Sequence, residues 1–417
     1  MRISKFLKSN TILIVSLQHI NITEVLMRRI VIILVSLSTW LYGVAQETVI
    51  PLNQGINYDA KVYDDTLFVA TDNGIYSYAL NEQNAAWKEY AFGGMKILNF
   101  CKSGKKIMAD NYPEQPQGEY KQQLLFSEDY GKTFNDITPT DAIFDPQGSR
   151  AFEFWQIPDS PDHFFLDIHG HNRTWTETKD FGVTWNDANT GDGNHGLFAI
   201  DPNDVTHILV YGPPPGSDVY GAYIYETTDN LQTLTRITVE SEYASFMSMV
   251  FYPANSQILL ATTNGGIVKS TDCGRSWKRV DNKEEKWYYW CNQVLFDSQH
   301  PQVAYAVRSE DIGGGLHAWE IYRSEDVGET WETFYPPSFH LQGCVVKMFL
   351  YDNELVIVSE WGSICRVPTN GIPATITMQK QYTATHSNYV FDLQGRRLES
   401  QPEKGIYIQN GKKVVVK

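Results

Sequence analysis

Three groups of side chains in this 417-residue chain are of types that could do chemistry. The first is a set of acids in Gly-rich or aromatic stretches: Asp192, Glu310, Asp311 and Glu360. Two carboxylates flanking a glycosidic bond can divide acid and base or nucleophile roles, with their separation setting the stereochemistry. Acidic loops are more commonly just solvated, so Glu310, Asp311 and Glu360 are the candidates only if the chain has a catalytic activity. The second group is His169, His171, His195 and His317. A metal needs three or four ligands at bonding distance, and these imidazoles come from three separate segments, so neither a metal nor another cofactor is expected. The third group is the run Trp287, Tyr288, Tyr289, Trp290, together with Trp319 and Trp361. An extended run alternates sides, leaving one aromatic pair to face solvent and stack on a sugar ring or a peptide side chain. Packing between neighbouring sheets is the competing reading of equal weight. The candidate ligand-binding set is therefore Trp287, Tyr289, Trp290, His169, His171, His195, Trp319 and Trp361.

These residues are placed by a repeated element. SEDYGKTF (Ser127–Phe134), TKDFGVTW (Thr178–Trp185), STDCGRSW (Ser270–Trp277) and SEDVGETW (Ser324–Trp331) share one pattern. A fifth segment, TTDNLQTL (Thr227–Leu234), keeps the Thr and Asp and lacks the Gly and the aromatic. The five starts lie 51, 49, 43 and 54 residues apart, the period of a four-stranded propeller blade. Within the motif the chemistry is that of a turn. Ser127 with Asp129, and likewise Asp180, Asp272 and Asp326, can bond nearby backbone groups; Gly131, Gly182, Gly274 and Gly328 can take positive φ. The closing aromatics, Phe134, Trp185, Trp277 and Trp331, are expected to pack inward.

The segments resemble the Asp-box, or bacterial neuraminidase repeat, of sialidases, xyloglucanases, sortilin-type receptors and photosystem assembly factors. In those families the motif sits between the third and fourth strands of a blade, away from the ligand. The resemblance covers roughly residues 50–372 and implies an all-β, single propeller of about seven four-stranded blades. Strand–turn–strand units precede each motif, as in Phe152–Ile168, Leu197–Tyr211, Met249–Thr262 and Val294–Val307. Two degenerate units, Lys61–Trp87 and Val346–Val367, complete the count. The motif turns and the first-to-second turns then share one face. The loops carrying the three groups above fall on the other, where the channel opens, and they are the longer and more aromatic ones.

Composition agrees with a β fold: aromatics make up 13% of the chain, with 24 Tyr, 20 Phe and 11 Trp. The formal charge is −15, near −19 without residues 1–45, and no Lys/Arg stripe is visible, which excludes nucleic acid as a partner. Residues 1–45 read as an N-terminal extension and signal peptide, with MRRIVIILVSLSTWLYGVA beginning at Met27 as the true start. No later apolar run is long enough to span a membrane, so the mature chain is expected to be secreted or surface-bound, and monomeric. Residues 46–372 form the propeller in this reading, and 373–417 a linker and β hairpin turning at Asn410-Gly411. That end resembles the C-terminal sorting tails of secreted Bacteroidetes proteins. Cys101, Cys273, Cys291, Cys344 and Cys365 lack zinc-site spacing and read as buried thiols, with a Cys344–Cys365 or Cys273–Cys291 bridge left open.

The expected function is non-catalytic binding of a glycan or protein ligand on the loop face. A glycoside hydrolase is the second reading. The resemblance to sialidases implies three Arg on the substrate carboxylate, the first before the first box, yet no Arg lies between Arg29 and Arg150. Xyloglucanase-type enzymes use two propellers, and this chain supplies one. An assembly factor for an envelope protein, similar to the photosystem stability proteins, is the third.

Overall fold

The computed structural model describes residues 48–369 except 83, 114–121, 139–151, 158–159, 169–174, 188–196, 213–222, 238–245, 264, 282–288, 314–315 and 339–342, together with strand segments between 390 and 416. Every regular element among the described residues is a strand. Seven four-stranded antiparallel sheets follow one another along the chain as the blades of a propeller, and an eighth small sheet lies in the C-terminal unit, Thr369–Lys417.

Blade 1 runs Asn57–Tyr63, Thr66–Thr71, Gly74–Ala79 and Lys88–Ala91. Blades 2 to 6 repeat the plan, with inner strands Ile97–Ser103, Phe152–Ile157, Leu197–Asp201, Phe246–Tyr252 and Tyr289–Phe296. Blade 7 contains Val345–Tyr351, Glu354–Ser359 and Ser363–Pro368 from the end of the propeller. Its fourth strand is Thr48–Pro51 from the beginning, paired antiparallel in the register Thr48↔Arg366 to Pro51↔Ser363. The ring is thus closed by strand exchange between the two ends of the propeller.

The sequence explains why the blades stack. Second strands such as TLFVAT, KIMADN and ELVIVS are buried from their second residue onward, because sheets cover both their faces. Burying apolar side chains on both faces supplies the driving force, at ~25 cal/mol per Å2 removed from water. Each core cluster joins two consecutive blades. Phe68, Ala70 and Ile75 of blade 1 pack with Phe100, Ile107 and Leu125 of blade 2. Leu209 and Ile224 of blade 4 pack with Met249, Phe251 and Trp277 of blade 5. Val356 and Val358 of blade 7 pack with Leu67 and Val69 of blade 1, carrying the core across the closure.

The repeated motif forms the turn between third and fourth strands in blades 2 to 6. In blade 6, Ser324 Oγ donates to Asp326 Oδ1 at 2.8 Å and accepts the Gly328 N–H at 2.8 Å. Asp326 Oδ1 accepts the Thr330 N–H at 2.8 Å, and Oδ2 accepts its hydroxyl at 2.6 Å. The same four bonds recur around Asp129, Asp180, Asp229 and Asp272. A further bond ties four of these turns to the first-to-second turn of their own blade or to the start of the strand that follows it, as in Val327 N–H to Gln302 O at 2.8 Å. Both turn types therefore share one face, the turn face.

The closing aromatics do not all behave alike. Trp277 and Trp331 are 7% exposed, and their indole N–H groups donate to the Gly274 and Gly328 carbonyls at 3.0 and 3.2 Å. Phe134 is 40% exposed and meets Phe92 edge-on, so the expectation of inward packing fails there: a phenyl ring has no N–H with which to close the turn. Trp185 is half-buried against Phe164. None of Cys101, Cys273, Cys344 and Cys365 is in a disulfide, which removes both bridges left open by the sequence.

The C-terminal unit pairs Gly405–Gln409 with Lys412–Val416 across Asn410-Gly411, in the register Gln409↔Lys412. Val390–Phe391 pairs with both Gly405–Gln409 and Arg397–Leu398.

Candidate functional site

Blades 7, 1 and 2 meet on the face opposite the turns. Its geometry starts from Asp72, in the hairpin between the second and third strands of blade 1. One carboxylate oxygen accepts the Ile56 N–H at 2.9 Å and the other accepts the Tyr58 hydroxyl at 2.9 Å. Burial and then that bond to Asp72 push the Tyr58 phenol well above its ordinary range, so it remains a donor at any physiological pH. The turn is built by Thr71, whose hydroxyl donates to Gly74 O at 2.9 Å and accepts the Asn73 N–H at 3.0 Å. Gly74 has φ +112° and no room for a Cβ, which would lie 2.8 Å from two blade-1 carbonyl oxygens.

Around this hairpin lies an aromatic and charged corner. Lys96, on the link between blades 1 and 2, has Nζ 4.9 Å from the Tyr58 ring centroid, 5.2 Å from that of Tyr112 and 3.9 Å from Asp72. Such a cation lying between two rings is held in place while keeping part of its charge in water. Glu360, between the second and third strands of blade 7, bonds through its backbone to Asn57 and Cys344, and its Oε2 accepts the Cys344 N–H at 3.3 Å. Trp361 follows it and is 52% exposed. The Trp361 ring lies over Gly343, where a Cβ would come within 2.3 Å of Cδ1, so only glycine lets the indole lie there. The arrangement offers an exposed indole, a positioned cation and a positioned carboxylate within one corner of the loop face.

Of the residues singled out from sequence, the structure brings Glu360 and Trp361 into this corner. Trp319 is 3% exposed inside blade 6, so its ring offers no stacking face. Glu310 and Asp311 lie on the second strand of blade 6, paired with Ala318 and His317 of the third. Tyr289 and Trp290 begin its inner strand, opposite Glu310 and Ser309. His169, His171, Asp192, His195, Trp287 and Tyr288 lie outside the described residues. Sequence reading missed Tyr58, Asp72, Lys96 and Tyr112. Tyr58 lies at the start of the inner strand of blade 1, and Asp72 and Lys96 lie in short connections with no composition signal; Tyr112 opens the longer 111–120 loop, which the sequence places on this face without singling out that residue.

No family model matches the sequence, and a search of curated proteins returns no match. Solved structures do match the fold. YCF48 bound to a D1 peptide superposes with a TM-score of 0.53 at 13% identity, over 77% of this chain and 94% of that one. YCF48 from Cyanidioschyzon merolae gives 0.54 at 11% identity, over 79% and 100%. The WD40 propeller domain of Doa1 gives 0.53 at 9% identity, over 78% and 97%. At these identities the similarity is one of fold, and it extends to propellers of unlike repeat type.

Proposed function

We propose that this chain is a non-catalytic binding propeller that holds a protein ligand, presented as an extended segment, on the loop face. The observation that carries the reading is the corner itself. Trp361 is half exposed yet seated on Gly343, and it stands beside Glu360 on the face that also carries Lys96 between Tyr58 and Tyr112. A large aromatic held in place contributes contact area at small cost in side-chain entropy, which is what binding hot spots require. Paired charges of both signs suit a peptide, whose backbone and side chains offer donors and acceptors of both kinds. The peptide-bound YCF48 structure, of the same fold, supports a peptide over a sugar as the first ligand to test.

The wider setting belongs to the same proposal. The turn motifs are Asp-boxes, residues 27–45 export the chain, residues 46–372 are the binding domain, and the C-terminal unit acts as a sorting tail at the cell surface.

The test is a peptide array and a glycan array probed side by side with the full chain and Trp361→Ala. Peptide binding that falls by tenfold or more in the variant supports the reading. Binding confined to glycans, or peptide binding indifferent to Trp361, contradicts it.

A further inference from the structure

On the opposite, turn face, three side chains of different chemistry converge between blades 4 and 5. His207 Nε2 lies 3.2 Å from Glu226 Oε1, Cys273 Sγ lies 3.6 Å from that nitrogen, and Sγ lies 3.5 Å from that oxygen. We propose that His207, Glu226 and Cys273 form a binding site for a transition-metal ion of the zinc class, with Asp201 as the positioning residue.

The triangle has the right size. Bonds of about 2.3 Å to sulfur and about 2.05 Å to nitrogen and oxygen, at tetrahedral angles, place S and N or O about 3.6 Å apart and N and O about 3.3 Å apart. The observed separations differ from these by about a tenth of an ångström, so an ion could enter with little movement of the ligands. Thiolate, imidazole and carboxylate together select zinc-like ions, since calcium and magnesium take oxygen alone.

The surroundings complete the case. Asp201 is 2% exposed, and its Oδ2 lies 3.0 Å from His207 Nδ1. That bond keeps the proton on Nδ1 and turns the Nε2 lone pair toward Glu226 and Cys273, the carboxylate–histidine arrangement that orients metal-binding imidazoles. Arg275 holds the other oxygen of Glu226 at 2.7 Å, which aims Oε1 inward. With Cys273 as thiolate, Glu226, Asp201, Asp204 and Asp272 join it in a negative niche that holds one guanidinium, Arg275, and such a field favours a divalent cation. Metal binding needs Nε2 and Sγ without their protons, so it releases protons as it occurs. The ligands open on a hollow of about 520 Å3, also lined by Asp204, Thr228, Gln257 and Asp272, with room for a fourth ligand.

The repeat supplies an internal control. Blade 3 carries His163 and Glu177 in the same register, 2.7 Å apart. There Lys179 lies 3.3 Å from the same carboxylate oxygen, so a cation is already in place. The motif turn of the following blade has Asn230 where the turn facing His207 has Cys273. In blades 2, 3 and 6 that position is Tyr130, Phe181 and Val327. Cys273 adopts φ +58° there, fixed by its N–H bond to Gln257 O at 2.9 Å, which points the thiol at the preceding blade. The third ligand is what separates a metal site from an ordinary ion pair.

The experiment is a Co(II) titration of the chelator-treated full chain. One equivalent should bind with a thiolate-to-cobalt charge-transfer band and the intense visible bands of tetrahedral cobalt, and Zn(II) should displace it. Cys273→Ser should abolish the charge-transfer band and weaken binding by tenfold or more. Asp201→Asn should keep that band, shift the visible envelope and lower affinity by about 10–100-fold. His163→Gln should change none of these. Should Cys273→Ser fail to fold, the wild-type chain decides by a rise in melting temperature with Zn(II) that chelator reverses. Absence of the band in folded wild-type chain, its survival in Cys273→Ser, or a melting temperature indifferent to Zn(II) would overturn the proposal.

Discussion

Val49 stands opposite Cys365, the two paired across the first described strand of the chain and the third strand of blade 7. The ends of the propeller are thereby tied to each other, and Leu52, 1% exposed, continues the contact through its N–H bond to Gly362 O at 2.7 Å.

Removing residues 46–51 should open this ring. The loss of a four-residue ladder, at ~1 kcal/mol for each net hydrogen bond, and of the half-buried Ile50 should cost about 3 kcal/mol. Urea unfolding of the shortened chain should show a lower midpoint. An unchanged midpoint would mean that blade 7 does not need its outer strand.

Leu231 replaces the glycine of the motif in blade 4 and adopts φ +62°, a region costly for a branched residue. Leu231→Gly would relieve about 1–2 kcal/mol of that strain. The side chain is 0% exposed and packs with Phe165 and Tyr225, so its removal costs about 2–5 kcal/mol. Burial should win, and the variant should be less stable in thermal or chemical unfolding. The reverse change at Gly328 should also destabilise, because a Cβ there comes within 2.4 Å of Leu260 Cδ2.

The motif carboxylates predict an acid limb. Backbone bonds from Thr133 and Thr184, then the bonds of their hydroxyls, hold Asp129 and Asp180 below the ordinary carboxylate range; at Asp229 the Thr233 hydroxyl is the first cause. A depressed folded-state pKa contributes stability above the unfolded value, near 3.8, and that contribution is lost as pH falls through the folded value. Unfolding midpoints should therefore fall below about pH 4, and an Asp129→Asn/Asp180→Asn/Asp229→Asn chain should show a shallower fall. An acid limb of equal slope in that variant would place the effect elsewhere.

Two of the tryptophans singled out from sequence should separate cleanly. Trp319→Ala, at 3% exposure, should cost about 3–5 kcal/mol, whereas Trp361→Ala, at 52%, should cost less, about 1–2 kcal/mol. Thermal unfolding of both variants distinguishes them.

These contrasts show what sequence can and cannot carry. The blades were legible because Ser127, Thr178, Thr227, Ser270 and Ser324 each begin the same hydrogen-bonded turn, and a local turn is written in local residues. Strand exchange was not legible, since TVIP has too few residues for a pattern and its partner lies more than three hundred residues away. Trp319 and Trp361 look alike in a sequence, and only the position of one inside a blade and of the other at a loop tip separates them. The niche at His207 joins residues 66 apart across two blades. Its one sequence signal was a cysteine at a motif position held elsewhere by Tyr130, Phe181 and Val327.

Hydrogen exchange of the full chain with the best-binding array peptide tests the central claim most directly. Binding on the loop face predicts slower exchange in residues 52–58, 94–96, 343–345 and 360–362, with the motif turns unchanged. Protection confined to the motif turns, or none at saturating peptide, would contradict it.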